Sequence, residues 1–163
     1  MLLQISKKAG CIKLKDENGR AVAELYRTFP AEKARVCLPA SGQEAEMTVR
    51  REEKGEEYLL GTAEHPLAQA VPEQNAPAPR FAPALPHLHT ASLTCEGKTW
   101  TLEVQKDLSV LILEKDKVVG EISPYEDIRP QRMALPENTP PTLCAACYLF
   151  AENVIRACDL QMV

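Results

Sequence analysis

The chain has 163 residues, which fits one domain and leaves no room for two large ones. Hydrophobic residues make up 45% and charged residues 26%, near the globular average, so a wholly disordered chain is excluded. The formal net charge of −4 argues against a nucleic-acid partner, because phosphate contacts need clustered lysines and arginines.

The chain carries no recognisable targeting or membrane-spanning segment. Residues 1–8 lack the basic stretch and apolar run of a signal peptide. The longest apolar run covers residues 143–151, whereas a transmembrane helix needs about 20 residues. Most cysteines lie among aliphatic neighbours, as small buried hydrophobes do. We therefore predict a cytoplasmic protein with reduced thiols at Cys11, Cys37, Cys95, Cys144, Cys147 and Cys158.

The part of the chain before residue 65, which we name the first arm (residues 1–64), contains short segments in which apolar and charged residues alternate. Strands are predicted over 11–15 and 21–26, because Asn18-Gly19 between two alternating runs is a strong hairpin signal. Further short strands are predicted over 35–38, 45–51 and 57–61, separated by Gly-containing turns.

Residues 65–90 differ in composition from the rest of the chain. They contain six prolines and six alanines but only two charged residues, Glu73 and Arg80. Each proline removes a backbone donor and restricts the residue before it, which disfavours a helix or a central strand. We predict a flexible Pro/Ala-rich insert here, and one interpretation of it is a loop that docks a partner protein.

The second arm, residues 91–138, has the same pattern of short predicted strands separated by turns as the first arm. Strands are predicted over 99–104, 109–114 and 118–122 as a three-stranded meander, and residues 129–135 are predicted to add one more. The turns between them are short and charged, as in Lys106-Asp107.

The last segment, residues 139–163, changes to a helical pattern. Thr139 is predicted to cap the helix, with proline in its first turn, where a missing donor costs nothing. A helix that is apolar on every face must be surrounded by protein or lipid, and nine residues are too few to cross a bilayer. The strands are therefore predicted to enclose the helix, with a buried core of Leu143, Cys144, Ala146, Cys147, Leu149, Phe150 and Val154.

With these elements the chain resembles the LURP-one-related (LOR) proteins of the tubby C-terminal-like superfamily, to which phospholipid scramblases are related. The resemblance is carried by Asp16-x-x-Gly19-Arg20-x-Val22, by the strand 118–122 and by the helix start 141–150. It implies a mainly β fold with one C-terminal helix (α+β): a closed antiparallel β-barrel of about 11–12 short strands around that helix. It also implies phosphoinositide or membrane-surface binding, with no lipid-binding residue that can be transferred to this chain.

Two groups of residues are candidates for metal or redox chemistry. Cys144 and Cys147 form a C-x-x-C, but their apolar neighbours favour an inert core position over a redox pair or a zinc site. His87 and His89, two residues apart, would face the same way on a strand and could chelate a metal with Cys95. Solvated loop histidines are the alternative interpretation.

A third candidate is the segment Tyr125-Glu126-Asp127 with Arg129, which could bind a ligand at a barrel rim. Adjacent carboxylates on an open loop seldom do acid–base work, and no nucleophile, phosphate-loop or zinc-hydrolase motif is present. The sequence predicts a non-enzymatic binding or scaffold module without a cofactor, which acts on an unknown protein or lipid partner. Peripheral contact with a membrane is one interpretation of that partner. The alternatives are a small metal or redox protein and a subunit that docks through the insert.

Overall fold

The computed structural model describes residues 1–28, 33–53, 55–61, 64–73 and 90–161. In these ranges the chain forms twelve antiparallel strands and one helix, and β12 closes the sheet against β1 as a barrel. The elements are β1 Leu2–Lys8, β2 Cys11–Lys15, β3 Ala21–Thr28, β4 Lys33–Leu38, β5 Gln43–Glu52, β6 Gly55–Gly61, β7 Pro66–Glu73, β8 Thr90–Cys95, β9 Lys98–Val104, β10 Val110–Glu114, β11 Lys117–Ile122, β12 Gln131–Ala134 and α1 Pro141–Gln161. The fold class predicted from the sequence is confirmed.

The strands follow one another around the barrel in chain order, and each is paired with its neighbours in the chain. In the hairpin of β2 and β3, Ile12 and Leu14 point inward while Lys13, between them, faces outward. Asp16 Oδ1 accepts the backbone N–H groups of Asn18 and Arg20, each at 2.9 Å, and Gly19 takes a left-handed φ of 77°. The hairpin predicted from Asn18-Gly19 is therefore stabilised by local side-chain chemistry.

The helix α1 fills the inside of the barrel. Its residues 143–151 are at most 2% exposed, and α1 contacts β3, β4, β7, β8 and β9. The ring of Phe150 stacks on that of Tyr58 with centroids 6.0 Å apart. Each helix residue that the sequence placed in the core is buried. Nowhere in the part of the chain that the structure describes is a helix long and apolar enough to cross a bilayer.

The start of α1 differs in detail from the prediction. Pro141 is the first helical residue, where its missing N–H costs nothing, but Thr139 does not cap the helix. The Thr139 hydroxyl donates instead to the Pro136 carbonyl at 2.6 Å, and the Cys144 amide donates to the carbonyl of Pro140 at 3.1 Å. The threonine thus stabilises the turn before the helix, because its hydroxyl bonds the carbonyl three residues earlier and not an amide of the first helical turn.

Part of the predicted flexible insert belongs to the barrel, so that prediction is wrong for residues 66–73. They form β7, which pairs with both β6 and β8. Pro66 is the first residue of the strand, and pairing with β6 ends at Ala70, before Pro72. Neither proline therefore interrupts the portion that is paired on both sides. Residues 74–89, with His87 and His89, lie outside the described residues.

The path of the chain defines two ends of the barrel. Because neighbouring strands are antiparallel, odd-numbered strands all run toward one end, which we name the exit end. The strand β12 runs away from this end, so α1 begins at the opposite end and emerges at the exit end. Burial along α1 is complete up to Ala151 and gives way to an exposed Arg156. Loops 105–109 and 123–130 lie at the same end.

Candidate functional site

A network of charged and polar side chains surrounds Glu152 where α1 leaves the barrel. Arg27, in β3, donates to Glu152 Oε2 from Nε at 3.0 Å and from Nη2 at 2.8 Å. Lys7, near the end of β1, donates to Oε1 at 3.0 Å, and the Tyr148 hydroxyl donates to the same oxygen at 2.7 Å. Short bonds of this kind between ionised groups are among the strongest in proteins. The network links the helix to β1 and β3.

Helical spacing places the members of this network. Tyr148 and Glu152 are four residues apart and so lie on one face of α1. Asn153 accepts a weaker bond from Arg27 at 3.4 Å, and its amide lies 3.5 Å from Met47 Sδ in the core. The side chains of Arg27 and Glu152 are only 10% and 13% exposed. This ion pair is therefore largely removed from solvent.

The charges in the network control the protonation of its members. Burial alone would raise the pKa of Glu152, but the charges of Arg27 and Lys7 and the Tyr148 hydrogen bond outweigh it and lower that pKa. Burial and the neighbouring carboxylate raise the pKa of Tyr148, so its hydroxyl keeps its proton. An ionised Glu152 with a neutral Tyr148 is suited to holding the helix in place and poorly suited to proton transfer at neutral pH.

The loop between β11 and β12, residues 123–130, carries cavities on two sides. One cavity of about 360 Å³ lies between this loop and α1, and its lining includes Lys7, Tyr125 and Arg156. A second, of about 500 Å³, is lined by Ser123, Pro124, Glu126, Arg129, Pro130 and Arg132. The candidate site is therefore the exit rim, which we define as residues 7–8, 105–109, 123–132 and 152–156.

The larger cavity on the outer wall of β4 to β7, about 700 Å³, is a weaker candidate. Several of its charged side chains already have partners: Arg35 lies over the Tyr26 ring at 5.0 Å, and Glu46 lies 3.9 Å from Lys33. Satisfied, solvent-facing pairs of this sort are typical of an outer strand surface.

The loop 123–130 is held rigidly at both of its ends. Ser123 exchanges three bonds with β12: its amide donates to the Arg132 carbonyl at 2.8 Å, its hydroxyl oxygen accepts the Arg132 amide at 2.9 Å, and its carbonyl accepts the Gln131 side-chain amide at 2.9 Å. Pro124 and Pro130 each restrict their own φ and the residue before them. The loop therefore presents its tip in a defined position.

The tips of the exit rim are apolar. Ile128 is 95% exposed and Tyr125 62% exposed, and Leu108 projects from the neighbouring loop. Leu108 adopts a left-handed φ of 66°, which favours glycine and strains a leucine. The Lys7 ammonium lies 4.8 Å from the centroid of the Tyr125 ring, within cation–π range. The sequence had singled out Tyr125 and Arg129, and the structure places both on this rim.

The cysteine candidates lie in the core, far from solvent. Cys144 and Cys147 are completely buried in α1, and Cys95 is buried at the end of β8. Burial raises the pKa of the Cys95 thiol to about 11 and that of Cys144 to about 12, and it raises the pKa of Cys147 as well. Among the described residues, no group of three His, Cys, Asp or Glu side chains could hold a metal ion.

We expect the three core thiols to resist alkylation while the protein is folded. Only the thiolate reacts, and a pKa near 11 leaves roughly a hundredfold less thiolate at neutral pH than an ordinary cysteine has. Iodoacetamide labelling followed by peptide mass spectrometry should modify the half-buried Cys11 early, and Cys95, Cys144 and Cys147 only in urea. Rapid labelling of Cys147 in native protein would contradict the buried helix.

Sequence reasoning missed Arg27 and Glu152 as members of a site, and it considered Lys7 only as part of a basic stripe with Lys8, Lys13 and Lys15. One signal was present: Glu152 is the first charge after nine apolar helix residues, which is where an enclosed helix has to reach solvent or a partner charge. Arg27 and Lys7 gave no such signal, because they are separated from Glu152 by more than 120 residues and meet it only through barrel closure.

Comparison of the chain with protein-family models, with curated proteins and with solved structures gives no match.

Proposed function

We propose that the protein is a non-enzymatic binding module of the LOR/tubby-like kind, which attaches peripherally to a membrane surface through the exit rim. The observation that carries the proposal is the cluster of apolar tips on one end of the barrel, Leu108, Tyr125 and Ile128. Folding stability does not account for an isoleucine that is almost fully exposed on a proline-bracketed loop. Burial of such a side chain in a lipid interface is worth about 1.5–3 kcal/mol.

Charge supports the same surface. The exit rim carries six basic residues and four acidic ones, so it is net positive on a chain of net charge −4. Each lysine or arginine near an anionic leaflet contributes about 1 kcal/mol. The basic residues are Lys7, Lys8, Lys106, Arg129, Arg132 and Arg156, and the acidic ones are Asp107, Glu126, Asp127 and Glu152.

The filled barrel supports binding at the surface over chemistry in the interior. Core side chains and α1 occupy the place where many barrels hold a ligand. A ligand is thus expected to meet the outside of the barrel, where the exit rim offers apolar, aromatic and basic groups together.

Vesicle binding tests the proposal. We expect the protein to sediment with vesicles of equal parts phosphatidylcholine and phosphatidylserine, and the double variant Tyr125→Ser, Ile128→Ser to bind at least about tenfold more weakly, since about 1.4 kcal/mol corresponds to tenfold. Val118→Ser is the matched control, because Val118 is 52% exposed at the opposite end of the barrel. Equal loss in both variants, or no sedimentation of the unmodified protein, would overturn the proposal.

Four predictions from the sequence stay predictions. The metal interpretation rests on His87 and His89, outside the described residues, and docking through the insert rests mainly on residues 74–89, also outside them. The redox interpretation of Cys144 and Cys147 is opposed by their burial and raised pKa values. The cytoplasmic location rests on the sequence alone.

A further inference from the structure

The cavity on the outer side of the loop 123–130 combines groups that suit an anion. Arg129, in the loop, and Arg132, in β12, both line it. Within the described residues neither guanidinium lies within 4.0 Å of a carboxylate. Two cations therefore share one cavity with no protein anion paired to either.

A third donor, the Ser123 hydroxyl, also lines this cavity. The Ser123 hydroxyl oxygen accepts the Arg132 amide at 2.9 Å, which leaves its O–H proton available to a ligand. The same backbone exchange fixes Ser123 against β12, so the hydroxyl and the Arg132 stem start from a rigid framework. Pro130, between the two arginines in sequence, limits the backbone freedom of Arg129. An anchored backbone of this kind lowers the entropy that the loop loses when a ligand binds.

We propose that this cavity binds a phosphate monoester, held by the guanidinium groups of Arg129 and Arg132 and by the Ser123 hydroxyl. A dianionic phosphate offers three oxygens for two forked guanidinium groups and one hydroxyl, whereas a carboxylate offers two oxygens and one charge. The cavity volume of about 500 Å³ accommodates such a group with part of the molecule that carries it. The ester is either a small soluble molecule or a lipid headgroup.

Glu126 lines the same cavity, so its substitution tests the proposal through the direction in which phosphate affinity changes. Its carboxylate repels an incoming phosphate, so Glu126→Gln should tighten phosphate binding severalfold while Arg129→Gln and Arg132→Gln weaken it. An exposed arginine at the opposite end of the barrel, Arg20, serves as a matched control, because Arg20→Gln removes the same charge from the protein without touching the cavity.

Calorimetric titration with phenyl phosphate, at low ionic strength, measures binding of a small soluble phosphate ester. We expect saturable binding that weakens about tenfold or more in Arg129→Gln and in Arg132→Gln and is unchanged in Arg20→Gln. Sedimentation of the same variants with phosphatidylcholine vesicles, with and without phosphatidic acid, measures binding of a lipid headgroup. Binding to phenyl phosphate assigns a soluble ester, and Arg-dependent binding to phosphatidic acid vesicles alone assigns a headgroup.

The phosphate site and the membrane attachment proposed above can each fail without the other. Ile128 does not line this cavity, so Ile128→Ser should keep phenyl phosphate binding even if it loses phosphatidylserine vesicles. The phosphate site is overturned if no probe binds, if Arg20→Gln weakens binding as much as Arg129→Gln does, or if Glu126→Gln has no effect or the opposite effect. Each arginine variant should keep the unmodified thermal midpoint, because both side chains are exposed.

Discussion

Ala146→Arg is expected to abolish the folded barrel. Ala146 is completely buried in the second turn of α1, and the helix residues before and after it are buried as well, so a guanidinium introduced there cannot reach solvent. An unpaired charge in an apolar interior costs more than the roughly 5–15 kcal/mol by which a domain is stable. Circular dichroism at 25 °C should show loss of native signal and no cooperative thermal transition.

A surface alanine provides the control for this substitution. Ala40 lies in the exposed turn between β4 and β5, and Ala40→Arg should change the free energy of unfolding by no more than about 0.5 kcal/mol. A milder variant tests packing alone: Ala146→Leu adds three heavy atoms to the core and should cost about 1–3 kcal/mol. If Ala146→Arg kept the unmodified thermal midpoint, the helix would not be enclosed by the strands.

Glu152→Ala is expected to produce the largest loss of stability among the polar substitutions, about 3–5 kcal/mol. The variant removes the carboxylate that accepts two hydrogen bonds from the largely buried Arg27 guanidinium, and removing one member of a buried pair is far more costly than removing both. The double variant Arg27→Met, Glu152→Leu should therefore be more stable than Glu152→Ala. Urea unfolding of the single and double variants measures the coupling.

An exposed pair gives the comparison for the buried one. Lys33 and Glu46 lie 3.9 Å apart on the outer wall with both side chains mostly exposed. Glu46→Ala should cost less than about 1 kcal/mol, since solvent screens the pair. Equal losses for Glu46→Ala and Glu152→Ala would show that burial of the Glu152 network contributes nothing.

The stabilisation by Glu152 should depend on pH with a definite sign. Because its pKa is lower in the folded protein than the ordinary 4.5, the contribution is fully present above pH 4.5 and is lost as pH falls through the lowered folded pKa. The difference in unfolding free energy between the unmodified protein and Glu152→Gln should be constant from pH 7 to pH 6 and shrink below pH 4.5. A difference that grows on acidification would contradict the ionised pair.

Prediction from the sequence succeeded where the information is local. The hairpin around Asn18-Gly19, the outer meander of the second arm and the apolar helix each follow from spacing within a few residues, and each is present in the structure. Enclosure of the helix also followed, because residues 143–151 have no polar face to offer to solvent.

Failures occurred where neighbouring strands decide the conformation. β1, β7 and β8 were not predicted as strands. Residues 66–73 have a composition that disfavours a strand, yet β6 and β8 supply partners exactly where no proline intervenes, between residues 68 and 70. Tertiary pairing of this kind overrides local preference.

The amino-acid sequence by itself determined which segments must be buried: alternating residues in the strands and every face of α1 along residues 143–151. The tertiary structure decided which distant residues meet. Arg27 and Lys7 pair with Glu152, because barrel closure and the direction of α1 bring these residues to one end. Burial follows from the hydrophobicity of each residue, which is a local property, whereas the position of a charge relative to its partner depends on the whole path of the chain.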